Sequence, residues 1–326
     1  MHIEDVNIEG FKSFSEKTNM SFQPGIDVII GNNGVGKSNI LDAVVWAMGE
    51  NDLEKLRCHD AEELFFVGSK DYAPAGHVEV ELNFREGTGK DAPKTQVIRR
   101  MDRDGRETYR IGGRTLDRKQ FLAGLEKLSV ADALKTIVRQ EQINDMLTLE
   151  PRRRFQWIEG LVGLNGDGTL PRRLAEETAP QFSRYLKTLF PKGDGALRVE
   201  ERQGEPAVEI EVTLSGGRAR KAHQLSGGEK SVTSLALKLA VFDQLESPFY
   251  LLDEVEPSLD YAHHKSMQAF LKALAARKQL IMITHLRSTI ELASTLHGVR
   301  TRFDGSSFMK FYFVMNERLL RLYKCC

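Results

Sequence analysis

The chain has little cysteine, no long apolar run and no excess of either charge. Its three cysteines, Cys58 and the terminal pair Cys325 and Cys326, supply neither a disulfide framework nor zinc-ligand spacing, which is the pattern of a reducing, cytoplasmic compartment. No run approaches the roughly 18 apolar residues that a membrane span needs. The opening MHIEDVNIEGF lacks the apolar centre of a signal peptide, so a soluble chain with no membrane partner is expected. Lys plus Arg and Asp plus Glu are each 46, so the net charge is zero and any contact with DNA must come from a local patch. Sustained heptads and repeats of solenoid period are also missing, which excludes long coiled-coil arms and stacked repeat folds.

What remains is the composition of a folded domain. With 41% hydrophobic and 28% charged residues over 326 positions, the chain can bury a full core as one large α/β domain or two lobes. Ile3, Val6 and Ile8 read as a strand before a turn at Gly10, and Ile26–Ile30 is a short apolar strand ending at Gly31. From Lys37 to Met48 the apolar residues Ile40, Leu41, Val44, Val45 and Met48 recur at helical spacing. Residues 76–116 alternate with period two, as in Val78, Val80, Leu82 and Phe84, with turn pairs at Asp104-Gly105 and Gly112-Gly113, predicting an antiparallel β-layer. Helices are predicted near 117–127 and 150–162, the second opened by Pro151, and another runs to about Phe190 after the breaker LNGDGT at 164–169. The second half predicts strands near 196–201 and 207–213 around Gln203-Gly204, a helix after Ser226 and an apolar strand at 249–252. Helix–strand alternation then continues to about 303, and a mostly parallel sheet is expected for this half. The final NERLLRLYKCC reads as a frayed helix or an appended remnant.

Three motifs carry chemistry. Gly31-Asn32-Asn33-Gly34-Val35-Gly36-Lys37-Ser38 sits between strand and helix and matches a phosphate loop. In such a loop the glycines let backbone N–H groups approach the β-phosphate, the lysine places a charge at the β and γ oxygens, and the serine hydroxyl can ligate Mg²⁺. An ordinary glycine turn is the competing reading, and the flanking strand and helix count against it. Phe249-Tyr-Leu-Leu252 ends in the adjacent acids Asp253 and Glu254, placed for the Mg²⁺ shell and for a general base on the attacking water. Alone, such a pair is as readily a solvated strand end. Leu225-Ser226-Gly227-Gly228-Glu229 opens a helix with free N–H groups and a hydroxyl able to receive a γ-phosphate, and Ser226 also serves as its N-cap.

In their order along the chain these motifs resemble the ABC ATPase family. The resemblance implies an α/β, ABC-type ATPase head, a mixed sheet with a P-loop core plus an antiparallel β-layer and a helical lobe. It implies ATP and Mg²⁺ as ligands, with Asn39 joining Asn32 to Ser38 at the nucleotide. Gln140 resembles the Q-loop glutamine, a metal ligand beside Ser38 and Asp253; Asp260 in Ser258-Leu-Asp260 resembles the D-loop, and His285 resembles the switch histidine. In that family the signature, here Ser226 to Glu229, faces the phosphate loop of a second head.

Within the family, several stretches resemble the SMC (structural maintenance of chromosomes) branch. They are GFKSF at 10–14, whose Lys12 and Ser13 are implied at the nucleotide, and AMGENDLEKLR at 47–57, ending in the R-loop arginine Arg57. ELFFVGS at 63–69, PRRRFQWIEGLVG at 151–163 and LFPKGDGAL at 189–197 continue the match. The resemblance implies an N-terminal half of the head over 1–163, a short turn at 164–170 in place of coiled coil and hinge, and a C-terminal half over 171–326. The arms are absent, as in a head trimmed by engineering or, alternatively, a natural armless relative. A second head, a kleisin subunit and DNA are the implied partners, with a place at the nucleoid. Lys55, Arg57, Arg99, Arg100 and Arg103 are candidates for a DNA-facing patch. Glu141 after Gln140 and Glu-Pro-Ser at 256–258 depart from the SMC pattern. A repair ATPase of the RecN or RecF kind is the alternative. A transporter subunit fits less well, because almost two hundred residues separate Gly31 from Leu225.

Overall fold

The computed structural model describes residues 1–87, 89, 91–162, 170–190, 192–214, 217–256 and 261–315. The expected turn at 164–169, the Ser258–Asp260 segment and the tail 316–326 lie outside them. The chain forms two compact units, one of Met1–Ile137, Ser247–Asp253 and Ala275–Cys326, the other of Val138–Glu246 and Glu254–Leu274.

In the first unit, period-two patterning builds the β-layer. In His77–Arg85 alternate residues are buried, and the sheet runs in the order Thr18–Ser21, His2–Glu9, His77–Arg85, Lys94–Asp102, Glu107–Ile111, Arg114–Leu116, all antiparallel. Continuous apolar runs build a second sheet. Phe249–Asp253 and Gln279–Ile283 are buried throughout, as strands covered on both faces must be. They run parallel to Ile26–Ile30 and Thr295–Thr301, with Ser307–Val314 closing one edge antiparallel. Helix Lys37–Ala47 shares one core with both sheets, which is why Ile40, Leu41, Val44, Val45 and Trp46 are buried all round it.

The parallel sheet differs from the expectation for the second half. Its central strand is Ile26–Ile30 from the first half, whereas the strands expected near 196–213 form a separate antiparallel sheet of Asp194–Arg202, Glu205–Thr213 and Arg220–Lys221. The reason is local. Gln203 (φ 55) and Gly204 (φ 78) both take left-handed backbone, the two-residue turn that folds adjacent strands back on each other. In this second unit the helix predicted to run to Phe190 also contains a π-turn at Leu174–Thr178 before Ala179–Leu189. Pro180 has no N–H to donate backward, so the ladder shifts register there.

The arginines read as a DNA patch are mostly committed to the fold. Arg99 is 2% exposed, stacks 4.5 Å from the Trp46 ring, and donates to the carbonyl oxygens of Trp46 and Glu50 at 2.8 Å each. Its neighbour Arg100 points to the opposite face and pairs with Asp102 at 3.0 Å, and Arg103 pairs with Glu62 and covers Phe65. Burial of Arg99 removes it from any DNA-facing surface.

Candidate nucleotide site

The loop 31–36 leaves the carboxyl end of Ile26–Ile30 and turns directly into helix Lys37–Ala47. Gly36 caps the helix in left-handed backbone (φ 91), and a Cβ there would stand 2.5 Å from the hydroxyls of both Ser13 and Ser307. Asn32, Asn33 and Gly34 are exposed, Val35 is buried, and Ser38 is half-buried in the first turn. Lys37 is 5% exposed, and its Nζ donates to the carbonyl oxygens of Gly31 (2.9 Å) and Asn32 (3.1 Å). It also lies 3.2 Å from His285 Nε2. His285 follows strand Gln279–Ile283, and Asp253 ends the adjoining parallel strand, in register with Ile283. Lys37, Asp253 and His285 therefore gather at the carboxyl edge of three parallel strands, the edge where open α/β sheets receive ligands.

A second group stands beside the loop. Asn39 Nδ2 donates to Ser13 Oγ at 2.8 Å, and Lys12 Nζ and Arg57 Nη2 each lie 2.7 Å from Oδ2 of Asp42. Lys12, Ser13, Asn39 and Arg57, with Phe65 and Val67, line an open cavity of about 520 Å³. The sequence reading missed Asp42. Its signal was a lone carboxylate in an otherwise apolar stretch of helix, four residues after Ser38 and so on the same face.

In the second unit, Ser226 caps helix Gly227–Phe242 in a capping box: its N–H donates to Glu229 Oε2 at 2.9 Å, while its hydroxyl faces the Glu229 N–H. Arg220 binds the Glu229 carboxylate at 2.7 Å and holds its pKa below the usual range. Gln140 is exposed at the start of a 3-10 turn. The segment that follows it is tied to the same helix, since Ser231 donates to Asn144 at 3.2 Å and the buried Lys238 donates to the Gln142 carbonyl. Burial lowers the Lys238 pKa to about 8. Glu254 is half-buried in left-handed backbone (φ 49), a conformation that persists only where the surroundings impose it. Asp260 lies outside the described residues.

A family model described as the RecF/RecN/SMC N terminal domain matches residues 2–307. The Chromosome partition protein Smc of Mycobacterium tuberculosis is 32% identical over 238 residues, 68% of this chain and 19% of the relative. That of Myxococcus xanthus is 33% identical over 302 residues, 89% of this chain and 23% of the relative. The chain thus spans about a fifth of the length of these relatives. Among solved structures, an Smc head bound to the C-winged helix domain of ScpA superposes with TM-score 0.85 at 31% identity, covering 97% of this chain and 99% of that one. The SMC head domain from Thermotoga maritima gives TM-score 0.68 at 29% identity, covering 97% and 100%.

Proposed function

This chain belongs to the RecF/RecN/SMC family, and we propose from that premise that it is the ATP-binding and ATP-hydrolysing head of an SMC-type chromosome partition protein. The observation that carries the reading is the convergence of Lys37 and His285 at the carboxyl edge of the parallel sheet, directly under a glycine loop that opens a helix. Backbone N–H groups of residues 33–38 surround the β-phosphate, and Lys37 exchanges its loop carbonyls for β and γ oxygens. Glu254 takes the proton of the attacking water, and His285 donates to the γ-phosphate. Gln140 orients the same water.

The donor set fits Mg²⁺. Ser38 and Asp253 offer hard oxygen donors, Gln140 is assigned to the same ion by the family resemblance, and among the described residues no group of three or more His, Cys, Asp or Glu could hold a metal alone. Ser38 and Asp253 would hold the ion, and it would supply charge neutralisation at the phosphate oxygens.

Ser226 and the free N–H groups of Gly227 and Gly228 are assigned to the γ-phosphate held by a second copy of the head, and the D-loop resemblance assigns Asp260 a role in the same pairing. ATP then builds a two-fold dimer with two equal sites. The solved head described with ScpA supports a kleisin partner here, and Arg57, beside the exposed Lys55, is assigned to couple DNA to hydrolysis. Among the described residues no helix is long and apolar enough to cross a membrane, and a nucleoid-associated place in the cytoplasm follows from the proposed role. Light scattering with and without ATP tests the assembly: a mass that doubles with ATP supports it, and an unchanged mass at saturating ATP removes the dimer.

A further inference from the structure

We propose that Asp42 is a positioning residue of the nucleotide site, a buried carboxylate that fixes the Lys12 ammonium and the Arg57 guanidinium side by side on the cavity wall. The inference rests on reading residues 31–38 as the ATP site. Asp42 is fully buried in a helix whose other buried residues, Lys37 at its first turn apart, are apolar, and an ionised carboxylate in such a place requires charged partners. Both partners come from outside the helix. Lys12 Nζ and Arg57 Nη2 each lie 2.7 Å from the same oxygen, Oδ2, and Arg57 Nε reaches it at 3.2 Å.

The arrangement is tied at its back as well. Lys12 Nζ donates to the carbonyl of Leu56, so the first cation holds the backbone that carries the second. Lys12 and Arg57 both stand in left-handed backbone, at φ 48 and 56, where a long side chain persists only if its surroundings impose it. Asn39 joins them to Ser13, donating to Ser13 Oγ at 2.8 Å while its Oδ1 stands 3.5 Å from Arg57 Nη2. Two like charges so close repel each other unless an anion sits between them. With Asp42 in place an incoming polyphosphate meets cations already ordered, and the ordering is not charged against its binding.

Asp42→Asn keeps the size of the side chain and removes its charge. Calorimetry on this variant should show ATP binding weakened about tenfold, the loss expected for a broken charge-assisted pair. KM should rise while kcat changes much less. In an Arg57→Ala background the same substitution should have a far smaller effect, because the group it positions is gone. Binding within about twofold of wild type, or full additivity with Arg57→Ala, overturns the proposal. Lys37→Ala is the control for the underlying reading: if it too binds ATP normally the loop itself is wrong, whereas its loss beside a normal Asp42→Asn removes only the role of Asp42. Should Asp42→Asn not fold, the cycle is run with Lys12→Met and Arg57→Ala. Two cations held by one carboxylate should then give non-additive losses of about threefold or more, and additive losses overturn the idea.

Discussion

Lys37 Nζ and His285 Nε2, 248 residues apart in sequence, lie 3.2 Å from each other. An ammonium has only protons to give, so Nε2 of His285 accepts in this contact, and donating to phosphate from the same nitrogen requires the ring to carry a proton on Nε2 once Lys37 has turned away. When Lys37 turns to phosphate, that nitrogen is left at the same edge, facing where the γ-phosphate is proposed to stand. His285→Ala should therefore bind ATP nearly as wild type does in calorimetry and lose turnover by about a hundredfold, the usual size of a proton-handling contribution. Normal phosphate release by this variant would detach His285 from the reaction.

The trans arrangement predicts two slow variants that fail in opposite ways. Glu254→Gln keeps size and hydrogen bonding but cannot accept the water's proton, so ATP should hold the heads as a dimer. Ser226→Arg puts a bulky side chain at the helix N-terminus and should leave a monomer that still binds ATP. Light scattering and phosphate release on the two proteins decide this. A monomeric Glu254→Gln at saturating ATP, or a Ser226→Arg with full turnover, sinks the trans signature.

Arg99 and Arg57 should separate stability from DNA response. Arg99→Leu removes the guanidinium donor from the carbonyls of Trp46 and Glu50 and from the carboxylate of Glu107, and should cost roughly 2–4 kcal/mol in denaturant unfolding. Arg57→Ala, at saturating ATP, should lose the rise in turnover that DNA produces at low salt. A wild-type head whose turnover ignores DNA would show that Arg57 has no such coupling to carry.

A buried network at the far end of strand Ile26–Ile30 predicts a compensated pH response. The hydroxyl of Thr295 bridges Asp27 and His297, and Gln279 donates to Asp27 at 2.9 Å. Burial raises the Asp27 pKa to about 7, so the native state holds this proton more tightly and stability falls as pH rises from about 4 to 7. Burial lowers the His297 pKa to about 4, so the native state resists this proton and stability rises as pH climbs from about 4 to 6.5. The two slopes oppose each other over most of that window. Thermal unfolding of Asp27→Asn should gain stability relative to wild type between about pH 4 and 7, by up to a few kcal/mol, and His297→Phe should lose it. Parallel pH profiles for all three proteins would show that neither group titrates as described.

Much of the site was set by sequence. The glycine spacing of residues 31–38, the apolar run that delivers Asp253 and Glu254, and the serine that opens Gly227–Phe242 each obey a local rule, so period and turn chemistry were enough to place them. The hairpin at Gln203-Gly204 was legible for the same reason, but the sheet it joins was not, since a strand's neighbours are chosen by where its apolar faces find cover. Tertiary structure alone decided three things. Arg99 reads as surface charge until Trp46 and Tyr109 close over it. Asp42 reads as one more helical residue until Lys12 and Arg57 arrive from separate segments. Asp27 and His297 read as ordinary strand polar residues until burial moves both their protons. A charge has no fixed meaning in a sequence because its energy depends on the solvent it loses and the partners it gains, and both are distributed over the whole fold.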